Sequence, residues 1–174
     1  MGLTAVLKKK TNFFTIEVEF SCPDGQTLAL IGPSGSGKTT IIRMLAGLEK
    51  PDEGFIRYRD EVFFDSARKI NLSPQKRMLG YVFQDYCLFP HLNLYENAAF
   101  AAQDDRQVDH LLGFFGLASL RDRKPHEVSG GERQRCAVCQ ALARNPQLLL
   151  LDEPFSALDV VTRMSPRLPL ASVS

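Results

Sequence analysis

The chain has 174 residues, 44% of them apolar and 24% charged, with 21 lysines and arginines against 20 aspartates and glutamates. That length suits one domain with a hydrophobic core, and a formal net charge of +1 excludes nucleic-acid binding by bulk electrostatics. No stretch approaches the roughly 18 uninterrupted apolar residues of a membrane span. The composition is not that of a disordered chain, and Lys8-Lys9-Lys10 after a mild N-terminus is the wrong order for a signal peptide; a soluble, cytosolic domain is expected.

In chain order, residues 13–20 (Phe-Phe-Thr-Ile-Glu-Val-Glu-Phe) alternate as a strand from Phe14 onward, with Phe13 and Phe14 expected in the core, and Pro23-Asp24-Gly25 turns the chain. Thr27 to Ile31 is a short apolar strand that runs into a glycine-rich loop. Ile41, Met44, Leu45 and Leu48 then fall at i, i+3, i+4 and i+7, one buried helix face, which Pro51 and Gly54 end. Residues 55–65 read as a strand pair with a polar tip, and Gly80 to Phe83 as another brief strand. The pattern is helical from about 93 to 125 (Leu94 to Ala102, Val108 to Phe115), broken by Gln103-Asp104-Asp105. Ser129 opens a helix that Asn145-Pro146 closes, and Leu148 to Leu151 is a strand expected to be buried on both faces. This order points to an α/β core with a helical excursion. Cys136-x-x-Cys139 has metal-like spacing, but Cys22 and Cys87 complete no site, and i and i+3 on a helix merely share a face. The four cysteines read as core residues.

Gly32-Pro33-Ser34-Gly35-Ser36-Gly37-Lys38-Thr39 matches G-x-x-x-x-G-K-[ST] between a strand and a helix. The glycines let successive backbone N–H groups curl around phosphate oxygens, and the helix N-terminus adds its positive dipole end. Lys38 would reach the β- and γ-phosphates, the Thr39 hydroxyl would ligate magnesium, and Thr40 belongs to the same nucleotide-binding set. A Gly/Ser-rich turn would match this pattern by chance about once in two hundred chains of this length, so nucleotide binding is the reading.

Leu148 to Leu151 ends in two carboxylates, Asp152 and Glu153. Ligands of a parallel sheet lie at the carboxyl ends of its strands, so the pair is expected beside the phosphate loop. Asp152 suits magnesium, and Glu153 the base that polarises an attacking water.

Ser129-Gly130-Gly131-Glu132-Arg133-Gln134-Arg135 can be read as a capping box alone. Two glycines in a first helical turn are costly, however, unless a ligand must approach that backbone. The whole pattern resembles the signature of ATP-binding cassette (ABC) ATPases, in which Glu132 stands for the commoner glutamine. Gln84, after Tyr81-Val82-Phe83, looks like the family's Q-loop glutamine, Ser156-Ala157-Leu158-Asp159 looks like its D-loop, and Pro154 follows the acidic pair as in the family. The likeness runs from about residue 14 to 163. It implies a P-loop NTPase fold: a core with a mixed sheet, a small antiparallel β subdomain, and a helical subdomain of about residues 86–135 inserted into one ATP-binding domain over 1–174. It implies ATP and Mg2+ as ligands, with Glu153 and Gln84 catalytic and Thr39, Gln84 and Asp152 at the metal. Ser129, Gly130, Gly131 and Glu132 would meet the γ-phosphate held by the opposite protomer of a head-to-tail homodimer.

Asn71-Leu72-Ser73-Pro74-Gln75-Lys76-Arg77, Gly80 to Gln84 and Leu88-Phe89-Pro90-His91 resemble the ATPase subunits of oxyanion importers, molybdate above all and sulfate close behind. That implies permease subunits as partners, a solute-binding protein reached indirectly, no nucleic acid, and a place on the inner face of the cell membrane. Phe13 or Phe14 is the alternative candidate for the aromatic that stacks on adenine. The family's switch histidine lies beyond the D-loop, whereas His91, His110 and His126 all precede it. Pro166 and Pro169 also break the helix begun at Val160 to Arg163. The tail therefore reads as a truncated or frame-shifted end, with ATP binding expected to survive better than turnover. A nucleotide-binding fragment without turnover is the alternative function. A chromosome- or repair-type ATPase is disfavoured by the short interval between Lys38 and Ser129, which holds no sustained heptads.

Overall fold

Apolar alternation starts earlier in the chain than the pattern around Phe14 suggests. Gly2–Lys10 is already a strand (β1), with Leu3, Ala5 and Leu7 buried and its intervening residues at least partly solvent-facing. The computed structural model describes residues 2–102, 104–153 and, as backbone, 170–172. They form two units, one of residues 2–77 with 170–172 and one of residues 78–153.

In the first unit β1 pairs antiparallel with β2 (Thr15–Pro23), setting Leu3 opposite Cys22, Ala5 opposite Phe20 and Leu7 opposite Val18. On its other side β1 pairs with β4 (Glu53–Tyr58), followed by β5 (Glu61–Asp65) and β6 (Ile70–Asn71), in the order β2-β1-β4-β5-β6. This is the expected antiparallel β subdomain, and the 55–65 strand pair is its β4–β5 hairpin. The remaining strand, β3 (Ala29–Ile31), takes Leu170–Ser172 (β9) as a parallel neighbour. That partner is absent from the sequence reading, which follows the family pattern only to residue 163.

Helix α1 (Lys38–Ala46) buries Ile41, Met44 and Leu45 as the 3.6-residue period requires. Leu48 does not join them and is 49% exposed. The helix ends earlier than Pro51: Gly47, at φ 78°, takes the left-handed cap, and its N–H and that of Leu48 return to the carbonyls of Met44 and Arg43. Leu48 thus lies past the last turn and off the buried stripe. Gly47 has a second reason to lack a side chain, because a Cβ there would stand 2.7 Å from Nε of Arg77. Arg77 is buried, and its guanidinium donates to the carbonyls of Leu72, Met44, Leu45 and Phe63 and to Oδ1 of Asn71. It thereby satisfies carbonyls at the C-terminus of α1 and joins them to β5, with the cation also over the Phe63 ring.

The second unit holds β7 (Gly80–Val82), α2 (Leu94–Ala99), α3 (Asp105–Phe114), α4 (Gly130–Leu142) and β8 (Leu149–Leu151). Its core is made of Val82, Leu94, Val108, Leu112, Leu117 and Val138 with their neighbours. Polar caps set the helix starts: Asn93 with Glu96, Asp104 with the Arg106 N–H, and Ser129 with Glu132. Asn97, also buried, accepts from the Phe89 N–H and donates to the carbonyls of Phe89, Leu92 and Asn93, which fixes the loop ahead of α2. α2 ends at Ala99, short of the expected Ala102. The four-leucine strand is not buried on both faces: only Leu150 is, while Leu149 and Leu151 are half-buried against the helical core. Among the described residues β8 has a single parallel neighbour, β7. Cys136 and Cys139 lie in the core as free thiols, whereas Cys22 is half-buried and Cys87 exposed, unlike the core positions expected of all four. Among the described residues no helix is long and apolar enough to cross a membrane. The expected D-loop, Pro154 and the segment 160–169 fall outside the described residues.

Candidate functional site

Gly32 to Gly37 joins β3 to α1, with the Ser36 N–H donating to the Pro33 carbonyl at 3.3 Å. Gly35 and Gly37 sit at φ 80° and 92°, in the left-handed region. Gly37 is also crowded, since a Cβ would stand 2.6 Å from Cδ1 of Ile16. α1 starts at Lys38 with no side-chain cap and no acidic residue in its first turn. No capping side chain or carboxylate therefore competes with an external anion at this positive dipole end. Ser36 Oγ is buried with no hydrogen-bond partner. A buried hydroxyl is costly to leave unpaired, by about 1–3 kcal/mol, so a phosphate oxygen at the loop would supply what Ser36 lacks. Lys38 Nζ donates to the carbonyls of Gly32 (2.9 Å) and Pro33 (2.8 Å), holding the ammonium across the mouth of the loop. Thr39 and Thr40 follow in the first turn, both half-buried.

Phe13 and Phe14 are not core residues: they are 93% and 41% exposed. Thr11 explains this. Its Oγ1 accepts from the N–H groups of Phe13 and Phe14 and donates to the Phe14 carbonyl, so both rings ride on the β1–β2 turn. Ile16 takes the buried position instead, and the Phe14 ring reaches to 3.6 Å from where a Gly37 Cβ would be.

In the second unit, register does the positioning. Val82 of β7 lies opposite Leu151 of β8, and the Asp152 N–H continues the ladder to the Val82 carbonyl at 3.0 Å. Two residues past that pair, Gln84 Nε2 donates to Glu153 Oε2 at 2.9 Å. Asp152 is buried and accepts from the Tyr81 hydroxyl at 3.4 Å. Glu153 is exposed, with its backbone at φ 52°. A residue that sequence reasoning passed over also reaches it: Gln134 Nε2, from α4, donates to the Glu153 carbonyl at 3.1 Å. A signal was available, because Gln134 shares the face of Ala137, Val138 and Ala141 at i+3, i+4 and i+7 and is an amide at a core position. At the start of α4 the Ser129 N–H and Oγ–H both donate to Glu132 Oε2 at 2.7 Å, and the Glu132 N–H returns to Ser129 Oγ. The Ser129 side chain, then its backbone, holds the Glu132 carboxyl below its ordinary range. Gly130 and Gly131 open the first turn, and a Cβ on Gly130 would meet nothing closer than 3.9 Å.

A family model described as "ABC transporter" matches residues 16–156. The chain belongs to the ABC transporter family. Among the relatives of this ABC chain, the molybdenum import ATP-binding protein ModC of Pseudomonas savastanoi pv. phaseolicola is 45% identical over 152 residues, 84% of this chain and 42% of the relative. ModC of Paramagnetospirillum magneticum is 45% identical over 159 residues, 88% of this chain and 44% of the relative. The chain thus spans less than half the length of these relatives. The dimeric post-hydrolysis structure of the ATP-binding cassette MJ0796, bound to ADP and Pi, superimposes with a TM-score of 0.75 at 24% identity, covering 99% of this chain and 88% of that one. A second dimeric MJ0796 structure gives 0.74 at 22% identity. The fold is that of an ABC ATPase cassette, as the α/β P-loop reading expects.

Proposed function

We propose that the chain is the ATP-binding and ATP-hydrolysing part of an importer subunit that powers uptake of molybdate or a related oxyanion. The observation that carries the ATP reading is the phosphate loop itself: an uncapped helix N-terminus behind two left-handed glycines, with a buried serine hydroxyl lacking a partner. The importer reading is supported by 45% identity to proteins named for molybdenum import.

In this reading Gly32 to Gly37 and the first turn of α1 cradle the phosphates, and Lys38 turns from its loop carbonyls to the β- and γ-oxygens. The family resemblance assigns Mg2+ to the Thr39 hydroxyl, the Gln84 amide carbonyl and the Asp152 carboxylate, oxygen donors of the kind a hard cation takes. Bound Mg2+ would neutralise charge on the phosphates. Glu153 accepts a proton from the attacking water, and Gln84 holds that carboxylate from its amide nitrogen. Phe14, exposed on its turn, is the adenine platform. Ser129 with Gly130 and Gly131 meets the γ-phosphate of a second copy, so the working unit is a homodimer. Tyr86, Phe89 and His91 form the permease-docking surface, together with Phe100, whose ring packs 4.3 Å from Phe89 and is largely exposed. The subunit works at the cytoplasmic face of the membrane, and a solute-binding protein acts through the permease.

The test is phosphate release from MgATP by the chain assembled with its permease. Release abolished by Glu153→Gln with MgATP binding retained supports the reading; release that persists in that variant contradicts it. Cysteine crosslinks to the permease from positions 86 or 91, and none from strands 55–65, support the docking surface.

A further inference from the structure

Glu153 is held by two side-chain amides, and only one of them faces the chemistry. Gln84 reaches its carboxylate, whereas Gln134 reaches its main-chain carbonyl at 3.1 Å. Gln134 is itself only 3% exposed, on a face otherwise occupied by Ala137, Val138 and Ala141. A long polar side chain is a poor filler for a helix core and needs a partner there. One partner it finds is the backbone of a residue in a conformation that L side chains rarely adopt, φ 52°. Such a backbone persists only where its surroundings over-determine it. The Asp152 N–H on the Val82 carbonyl fixes the residue before Glu153, and Gln134 fixes the carbonyl after its Cα.

Gln134 also lies on the helix that Ser129 caps. Five residues of α-helix span about 7.5 Å, so Gln134 stands within two turns of the Ser129 cap on one hydrogen-bonded rod. We infer that Gln134 is a positioning residue that ties the helix beginning at Ser129 to the Glu153 backbone and so sets where the Glu153 carboxylate stands. The inference rests on the reading of Glu153 as the base. A shift at the Ser129 end of α4 is carried through the Gln134 amide to Glu153, which links the segment proposed to meet the second copy's γ-phosphate with the group that activates water.

Two NMR measurements on the labelled chain test this. In the unmodified protein, a coupling across the hydrogen bond between Gln134 Nε2 and the Glu153 carbonyl carbon is expected, and it needs no variant to fold. In Gln134→Met, which keeps side-chain length and removes the donor, the Gln84 side-chain amide signal should move to the place it takes in Glu153→Ala. The functional counterpart is a split: in the permease assembly, turnover at saturating MgATP falls at least tenfold while half-saturating MgATP stays within twofold. No coupling in the unmodified chain, or a Gln84 signal unmoved in folded Gln134→Met, overturns the inference. Failure of the base reading would show elsewhere, as wild-type phosphate release from Glu153→Gln.

Discussion

The two units solve the same problem, holding polar groups ready for an anion or a water, by different means. In the first, backbone does it: two left-handed glycines and a helix start without a side-chain cap present N–H groups. In the second, side chains do it: Gln84 and Gln134 on Glu153, Asn97 on the loop from Phe89 to Asn93, and Ser129 with Glu132 at α4. A site built from backbone tolerates no added Cβ, whereas a site built from amides depends on each donor being present. Substitutions should therefore fail differently in the two units.

The largest effect is expected where a side chain serves the backbone-built unit. Arg77 satisfies four carbonyls and one amide oxygen, and burial pushes its guanidinium down to about 10. Arg77→Met takes this donor from the carbonyls of Leu72 and Leu45, while those of Met44 and Phe63 keep the N–H groups of Gly47 and Leu72. The cost is about 1–3 kcal/mol for each one left unpaired and kept from water. A loss of at least about 3 kcal/mol is expected in urea unfolding, and a loss under 1 kcal/mol would show that α1 does not need this clamp. Next, Gly37→Ala meets both the Ile16 side chain and a left-handed φ, a strain of about 1–3 kcal/mol. MgATP affinity should fall about tenfold or more, while Gly130→Ala, with open space around it, costs the fold little. Equal losses in the two variants would erase the contrast between the units.

Smaller effects probe the caps and the core of the second unit. Ser129→Ala should cost about 1 kcal/mol in urea unfolding. Because Glu132 is held below its ordinary value, its share of this cap is present above the usual carboxylate range and is lost as pH falls through the lowered value. The Ser129→Ala penalty should therefore shrink in acid. Burial pushes the Cys136 thiol up to about 12. Native stability should thus decline as pH rises above the ordinary thiol value of about 9 and on toward that limit, since the unfolded thiol ionises first. In maleimide labelling followed by mass spectrometry, exposed Cys87 reacts first, and Cys136 and Cys139 only on unfolding.

How much of this was legible in the sequence follows the same division. The phosphate loop could be read because backbone chemistry demands glycine at fixed spacing, and the Ser129–Glu132 box because a cap is local. The pairing of Gln84 with Glu153 comes from strand register across distant segments, which no local pattern encodes. Gln134 betrays itself only as an amide on the face of Ala137, Val138 and Ala141, and nothing local marks Arg77 as buried. Phe13 and Phe14 were misplaced because hydrophobicity alone does not reveal that Thr11 ties them into a turn. In β1 the three lysines that end the strand mask the alternation of Leu3, Ala5 and Leu7.

The central claim is that the loop from Gly32 to Thr39 binds nucleotide phosphates, and equilibrium titration of the purified chain with MgATP, beside Lys38→Ala, tests it most directly. Lys38 is the loop's own cation, and a charge-assisted hydrogen bond is worth about 1.5–3 kcal/mol. The account predicts saturable binding weakened at least tenfold by Lys38→Ala, with urea stability kept within about 0.5 kcal/mol. An unchanged dissociation constant in a folded Lys38→Ala protein would contradict it.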